Sequence, residues 1–73
     1  MQTIAEIGRT LRRIRQAQGL TQAEAAGLTG VGIRFMSELE NGKPTVQLET
    51  LIKVLSGYGL QFELVGPGIE VDR

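Results

Sequence analysis

Apolar positions recur at helical spacing from the start of the chain. Ile4, Ile7, Leu11 and Ile14 form one stripe, and Arg9, Arg12 and Arg13 fall on other faces. The stripe opens at Thr3, which has Glu6 at capping-box distance, and closes at Gly19, suited to the residue beyond a helix end. Thr21 and Glu24 repeat the box and open a second helix. That helix is rich in small residues (Ala23, Ala25, Ala26, Gly27), which let a neighbour approach closely. Thr29-Gly30 supplies a turn in which glycine takes positive φ without a steric cost. A third helix is predicted from near Gly32 to about Glu40, ended by Asn41-Gly42. Lys43-Pro44-Thr45 breaks the chain, with Thr45 as the expected cap of a fourth helix. In that helix Leu48, Leu51, Ile52 and Leu55 stand at core spacing, and Gly57 and Gly59 close it.

The period then changes. Leu60-Gln61-Phe62-Glu63-Leu64-Val65 alternates as a strand does, and Gly66-Pro67-Gly68 interrupts it. The expected fold is all-α, a compact domain of four to five helices with one short C-terminal β-strand. The domain spans residues 1–65, the strand 60–65, and 66–73 form a flexible tail. Alternation sets Leu60, Phe62 and Leu64 on one face, over the helices, and Gln61 and Glu63 on the other. A single strand has unpaired edges, and its mate in a two-fold homodimer is the simplest partner.

Composition narrows the function. A chain of 73 residues is near the lower limit for a self-sufficient core. With no cysteine and no histidine it has neither disulfides nor a metal cage, so helix packing and oligomerisation must stabilise it. The lack of cysteine fits a reducing cytoplasm. No stretch is long and apolar enough to span a membrane, and Met1 to Glu6 lacks the basic and apolar regions of a signal peptide. An enzyme is not expected, because no histidine, cysteine or strand-linked phosphate loop assembles a reactive centre. No cofactor is expected either.

Net charge is zero, which at first argues against a nucleic-acid partner. The distribution is uneven. Residues 1–43 hold six cations against four carboxylates, and residues 44–73 hold two against four. The N-terminal part is therefore mildly basic and the C-terminal part mildly acidic.

The stretch from Gln22 to Lys43 meets the requirements of a helix-turn-helix unit. Ala26 is a small residue where the second helix would cross. Gly30 follows four positions later for the turn, and Val31, Met36 and Leu39 have the spacing of anchors. With that inner face fixed, Ile33, Arg34, Ser37 and Glu38 point outward, near the end of the helix that enters a major groove. Arg34 is either a solvated charge or a contact to base or backbone. Ile33 is either core or an exposed partner for a thymine methyl. Phe35 either packs beside Met36 or flanks the DNA backbone. Arg9, Arg12 and Arg13 read as a solvated face, with one of them in reach of phosphate.

On "GLTQAEAA" (19–26), "TGV" (29–31), "SELENGK" (37–43) and "LETLIKVL" (48–55), the sequence resembles the Xre/Cro/lambda-repressor family of helix-turn-helix domains over residues 4–59. The run from Arg34 to Leu64 looks most like HipB-type antitoxins, which pair a compact helical domain with one C-terminal strand. The resemblance implies a phosphate contact at Gln22. Gly32 matches an N-cap position often held by Ser or Thr, leaving only its backbone N–H for phosphate. Ile33, Arg34 and Glu38 match base-facing positions. Glu38 departs from the usual Gln or Arg, and either accepts from a cytosine N4 or tethers Arg34. Arg15 and Glu40 match a pair tying the first helix to the end of the third, and Asn41 and Lys43 match a phosphate-contacting loop. The implied function is a homodimeric repressor of operator DNA that autoregulates a toxin–antitoxin operon, with a HipA-like kinase toxin as partner. The alternative is a protein-interaction module that mainly neutralises the toxin, with weak or no DNA binding; zero net charge favours it.

Overall fold

Each helix begins where the sequence answers, or fails to answer, its free N–H groups. The computed structural model describes residues 3–63, and in them α1 (Ile4–Ala17), α2 (Gln22–Thr29), α3 (Ile33–Glu40) and α4 (Leu48–Gly57). At α2 the capping box is complete. Thr21 Oγ1 accepts from the Glu24 N–H at 3.1 Å, and Glu24 Oε1 accepts from the Thr21 N–H at 2.9 Å. At α1 the expected box is half made. Thr3 Oγ1 accepts the Glu6 N–H at 3.2 Å, but Glu6 Oε1 takes the Thr3 hydroxyl rather than the Thr3 N–H. At α3 the cap is Gly32, with no side chain to offer. The cap of α4 is Gln47, not Thr45. Val46 is drawn into partial burial against the core, which delays the start of the helix by two residues.

The core takes residues from all four helices: Leu11, Ala25, Ala26, Met36, Leu39, Leu51 and Val54. α3 packs against both α1 and α2, and α4 packs against α2. Two glycines permit the closest approaches. A Cβ on Gly8 would collide with the carbonyl oxygen of Leu39, so α1 crosses α3 at backbone contact there. A Cβ on Gly57 would come within 2.6 Å of the Thr29 Cγ2, which joins the ends of α4 and α2. Gly57 therefore belongs to the helix and its packing, and Tyr58 forms the cap.

Two further expectations are corrected. In α4 the inward stripe is Leu51, Val54, Leu55 and Tyr58, at i, i+3, i+4 and i+7. Leu48 and Ile52, assigned to the core from spacing, are 60% and 47% exposed. The C-terminal strand is absent from the described residues. A strand exists only as a hydrogen-bonded ladder, and no described segment offers residues 60–63 one. Leu60 and Phe62 do not bury themselves over the helices; they are 39% and 46% exposed and line a groove with Ile7 of α1 and Leu55 of α4. Leu64, Val65 and the expected tail at 66–73 lie outside the described residues. Among the described residues no helix is long and apolar enough to cross a membrane.

Candidate nucleic-acid interface

The turn between α2 and α3 fixes the outer face of α3. Gly30 sits in the left-handed region at φ 75°, and both its N–H and that of Val31 donate to the Ala26 carbonyl. Ala25 and Ala26 are buried and small, so α3 can pack closely on α2, with Met36 and Leu39, both 0% exposed, in the same core cluster. Val31 and Phe35 pack beside the core and are half-buried. What remains on α3 is its outward face. Gly32 is exposed, Ile33 is 53% exposed, and the Arg34 side chain is 91% exposed. Ser37 and Glu38 continue that face and are half-buried.

α3 closes in a Schellman arrangement. Gly42, at φ 77°, donates its N–H to the Leu39 carbonyl, and Lys43 donates its N–H to the Glu38 carbonyl at 3.0 Å. This places the Lys43 side chain beside that of Glu38. Lys43 Nζ lies 2.9 Å from Glu38 Oε2, and Arg34 Nε lies 3.7 Å from the same oxygen. The Lys43 hydrogen bond, with the charges of Lys43 and Arg34, holds the Glu38 carboxyl below its ordinary pKa against a smaller opposing cost of burial. Asn41 is exposed.

A second network centres on the buried carboxylate of Glu40. Arg15 Nε and Nη2 donate to the two oxygens of Glu40 at 2.7 and 2.9 Å, and Arg15 Nη1 donates to the Leu20 carbonyl at 2.8 Å. The Glu40 side chain is 1% exposed and that of Arg15 is 11%. Gln22 Nε2 donates to Glu40 Oε1 at 3.1 Å. Burial raises the Glu40 pKa, but the hydrogen bonds from Arg15 and Gln22, with the Arg15 and Arg12 charges, outweigh it and leave the carboxyl below its usual range. The Arg15 guanidinium is held charged first by its hydrogen bond to Glu40.

The molecule thus joins Arg34, Glu38 and Lys43 in one chain of contacts, and Gln22, Glu40 and Arg15 in another. The Glu38–Lys43 and Gln22–Glu40 links were missed in the sequence. The first was signalled by Gly42, because a Schellman ending brings the residue after the glycine beside the one five earlier. The second had no sequence signal, since it crosses 18 residues between two helices.

Known proteins share the helix-turn-helix fold. The helix-turn-helix domain family matches residues 6–65. The chain is 43% identical over 68 residues to the uncharacterized HTH-type transcriptional regulator y4mF of Sinorhizobium fredii (strain NBRC 101917 / NGR234), covering 93% of this chain and 90% of that protein. It is also 43% identical over 53 residues to the HTH-type transcriptional regulator PuuR of Escherichia coli (strain K12), covering 73% of this chain but 29% of PuuR. The fold is similar to HipB solved in a HipA-HipB-O2-O3 complex and in a HipB-O4 20mer complex. Each match has a TM-score of 0.79 at 26% identity and covers 90% of this chain and 93% of the other.

Proposed function

The chain belongs to the helix-turn-helix domain family, and from that premise we propose that it is a sequence-specific transcriptional repressor that binds operator DNA as a homodimer. The observation that carries the reading is the outward face of α3. Its inner side is locked by Met36 and Leu39, while Ile33 and Arg34 stand exposed at its N-terminal end. In the proposed complex α3 enters the major groove. Arg34 reads a guanine edge, Ile33 lies against a thymine methyl, and Ser37 and Glu38 face the groove further along. Gln22, Asn41, Lys43 and the Gly32 N–H hold phosphates and set the register.

Dimerisation is assigned to the C-terminal segment. Leu60 and Phe62 are exposed apolar residues that line the groove between α1 and α4, and a second copy seated there would cover them. The two α3 helices would then address half-sites about 34–36 Å apart. The likeness to HipB in complex with HipA supports a further role as the antitoxin of a HipBA-like operon, acting in the cytoplasm on a HipA-like kinase and on its own promoter. A second reading, a module that mainly neutralises such a toxin, draws on the zero net charge.

Selection from a random duplex library tests the proposal. The protein should enrich a palindromic site, and Arg34→Ala should relax one base position at a cost of about 1–3 kcal/mol. Enrichment of no sequence, together with binding to a HipA-like kinase, would favour the second reading.

A further inference from the structure

A surface built to meet a polyanion gains from free cations, yet this one carries a carboxylate in its middle. Glu38 Oε2 lies 2.9 Å from Lys43 Nζ and 3.7 Å from Arg34 Nε, so one anion faces two of the cations that the proposed interface offers. The pairing is built in by the backbone. The helix-ending turn fixes Lys43 through its N–H to the Glu38 carbonyl, and the side chains of the same two residues then meet. Both stay within reach of a ligand: the Lys43 side chain is 49% exposed and that of Glu38 is 34% exposed. Arg34 precedes Glu38 on the helix, the weaker order for an i,i+4 pair, so Lys43 is the principal partner.

We propose that Glu38 is a specificity-determining residue: it occupies Lys43, and secondarily Arg34, and so suppresses binding to DNA of arbitrary sequence. This rests on the DNA-binding reading above. For Lys43 to take a phosphate it must give up or share its bond to Glu38, whose carboxylate then stands less neutralised against the groove. Where a cytosine N4 or adenine N6 amino group faces it, the carboxylate gains a new donor. Elsewhere it meets acceptors and phosphates and is repelled. The cost therefore falls on wrong sequences more than on the right one.

The test is fluorescence anisotropy on a random-sequence duplex and on the selected duplex, from about 50 to 200 mM salt, a range over which phosphate contacts are strongly screened. Glu38→Gln should bind the random duplex up to about fivefold more tightly, the upper reach of an exposed ion pair. Its salt dependence should steepen by about 0.9 in log K per log salt, one further phosphate. The ratio of selected to random affinity should fall. In a Lys43→Gln background the same change should bring a clearly smaller gain, from relieved repulsion and the release of Arg34 alone. Unchanged or weaker random-duplex binding by Glu38→Gln overturns the proposal, as does an equal gain with and without Lys43, which would mark a bulk charge effect. If the wild-type protein binds neither duplex at low salt, the DNA-binding reading itself falls, and this proposal with it. If the wild type binds and Glu38→Gln gains nothing, only this proposal falls.

Discussion

Removing Arg15 should come near to unfolding the protein, and the size of the effect follows from the burial of Glu40. The Glu40 side chain is 1% exposed and accepts three hydrogen bonds, two from Arg15 and one from Gln22. Arg15→Ala leaves a buried carboxylate with one neutral amide donor. Stranding a charge in this way costs about 3–5 kcal/mol. A domain of this size is stable by about 4–11 kcal/mol in all, at roughly 0.05–0.15 kcal/mol per residue. Glu40→Gln should cost less, about 1–3 kcal/mol, because Arg15 keeps its bond to the Leu20 carbonyl and remains nearer to water. The double variant Arg15→Met, Glu40→Leu removes both charges and should be more stable than Arg15→Ala, with a coupling of about 2 kcal/mol or more in a cycle built from the same substitutions. Urea denaturation followed by circular dichroism measures all of these. Coupling within about 0.5 kcal/mol of zero would refute the argument, since contacts that matter do not add independently.

Gly8→Ala should lower the melting temperature sharply. The new methyl meets the Leu39 backbone, and relieving such a clash costs about 1–3 kcal/mol or more. Thr21→Ala removes the complete capping box and should cost about 1 kcal/mol by urea melt, whereas Gly32→Ser, with open space around its Cβ, should gain a few tenths. Stability should also fall on acidification, as followed by urea melts at stepped pH. The Glu40 carboxyl has its pKa lowered from the ordinary 4.5, so the unfolded chain takes up the proton first. Its contribution is complete above that value and is lost as pH falls through the lower folded value, a slope that Glu40→Gln should flatten.

Most of the helical frame could be read from the sequence because its signals are local. The box at Thr21 and Glu24, the turn at Gly30 and the ending at Asn41-Gly42 each act within a few residues, and each appears where expected. Local signals are silent where position depends on what covers a residue. Leu48 and Ile52 have core spacing, but the inward stripe of α4 is already filled by Leu51, Val54, Leu55 and Tyr58. The alternation at 60–63 records a face without saying what lies against it, and a single chain leaves that face exposed. Gly8 carried no periodic signal, since only the crossing of α1 and α3 makes its missing side chain matter. In the candidate interface the outward residues of α3 followed from the anchors. The link from Gln22 to Glu40 depends on tertiary packing and could not be read in advance.

Amide chemical-shift mapping of the labelled protein, during titration with the selected duplex, reads out whether α3 meets duplex DNA. The largest perturbations should fall at Gly32, Ile33, Arg34, Ser37 and Glu38, at Asn41 and Lys43, and at the side-chain amide of Gln22, diminishing as salt is raised. Perturbations confined to α4 and residues 60–63, with α3 unmoved, would contradict that contact.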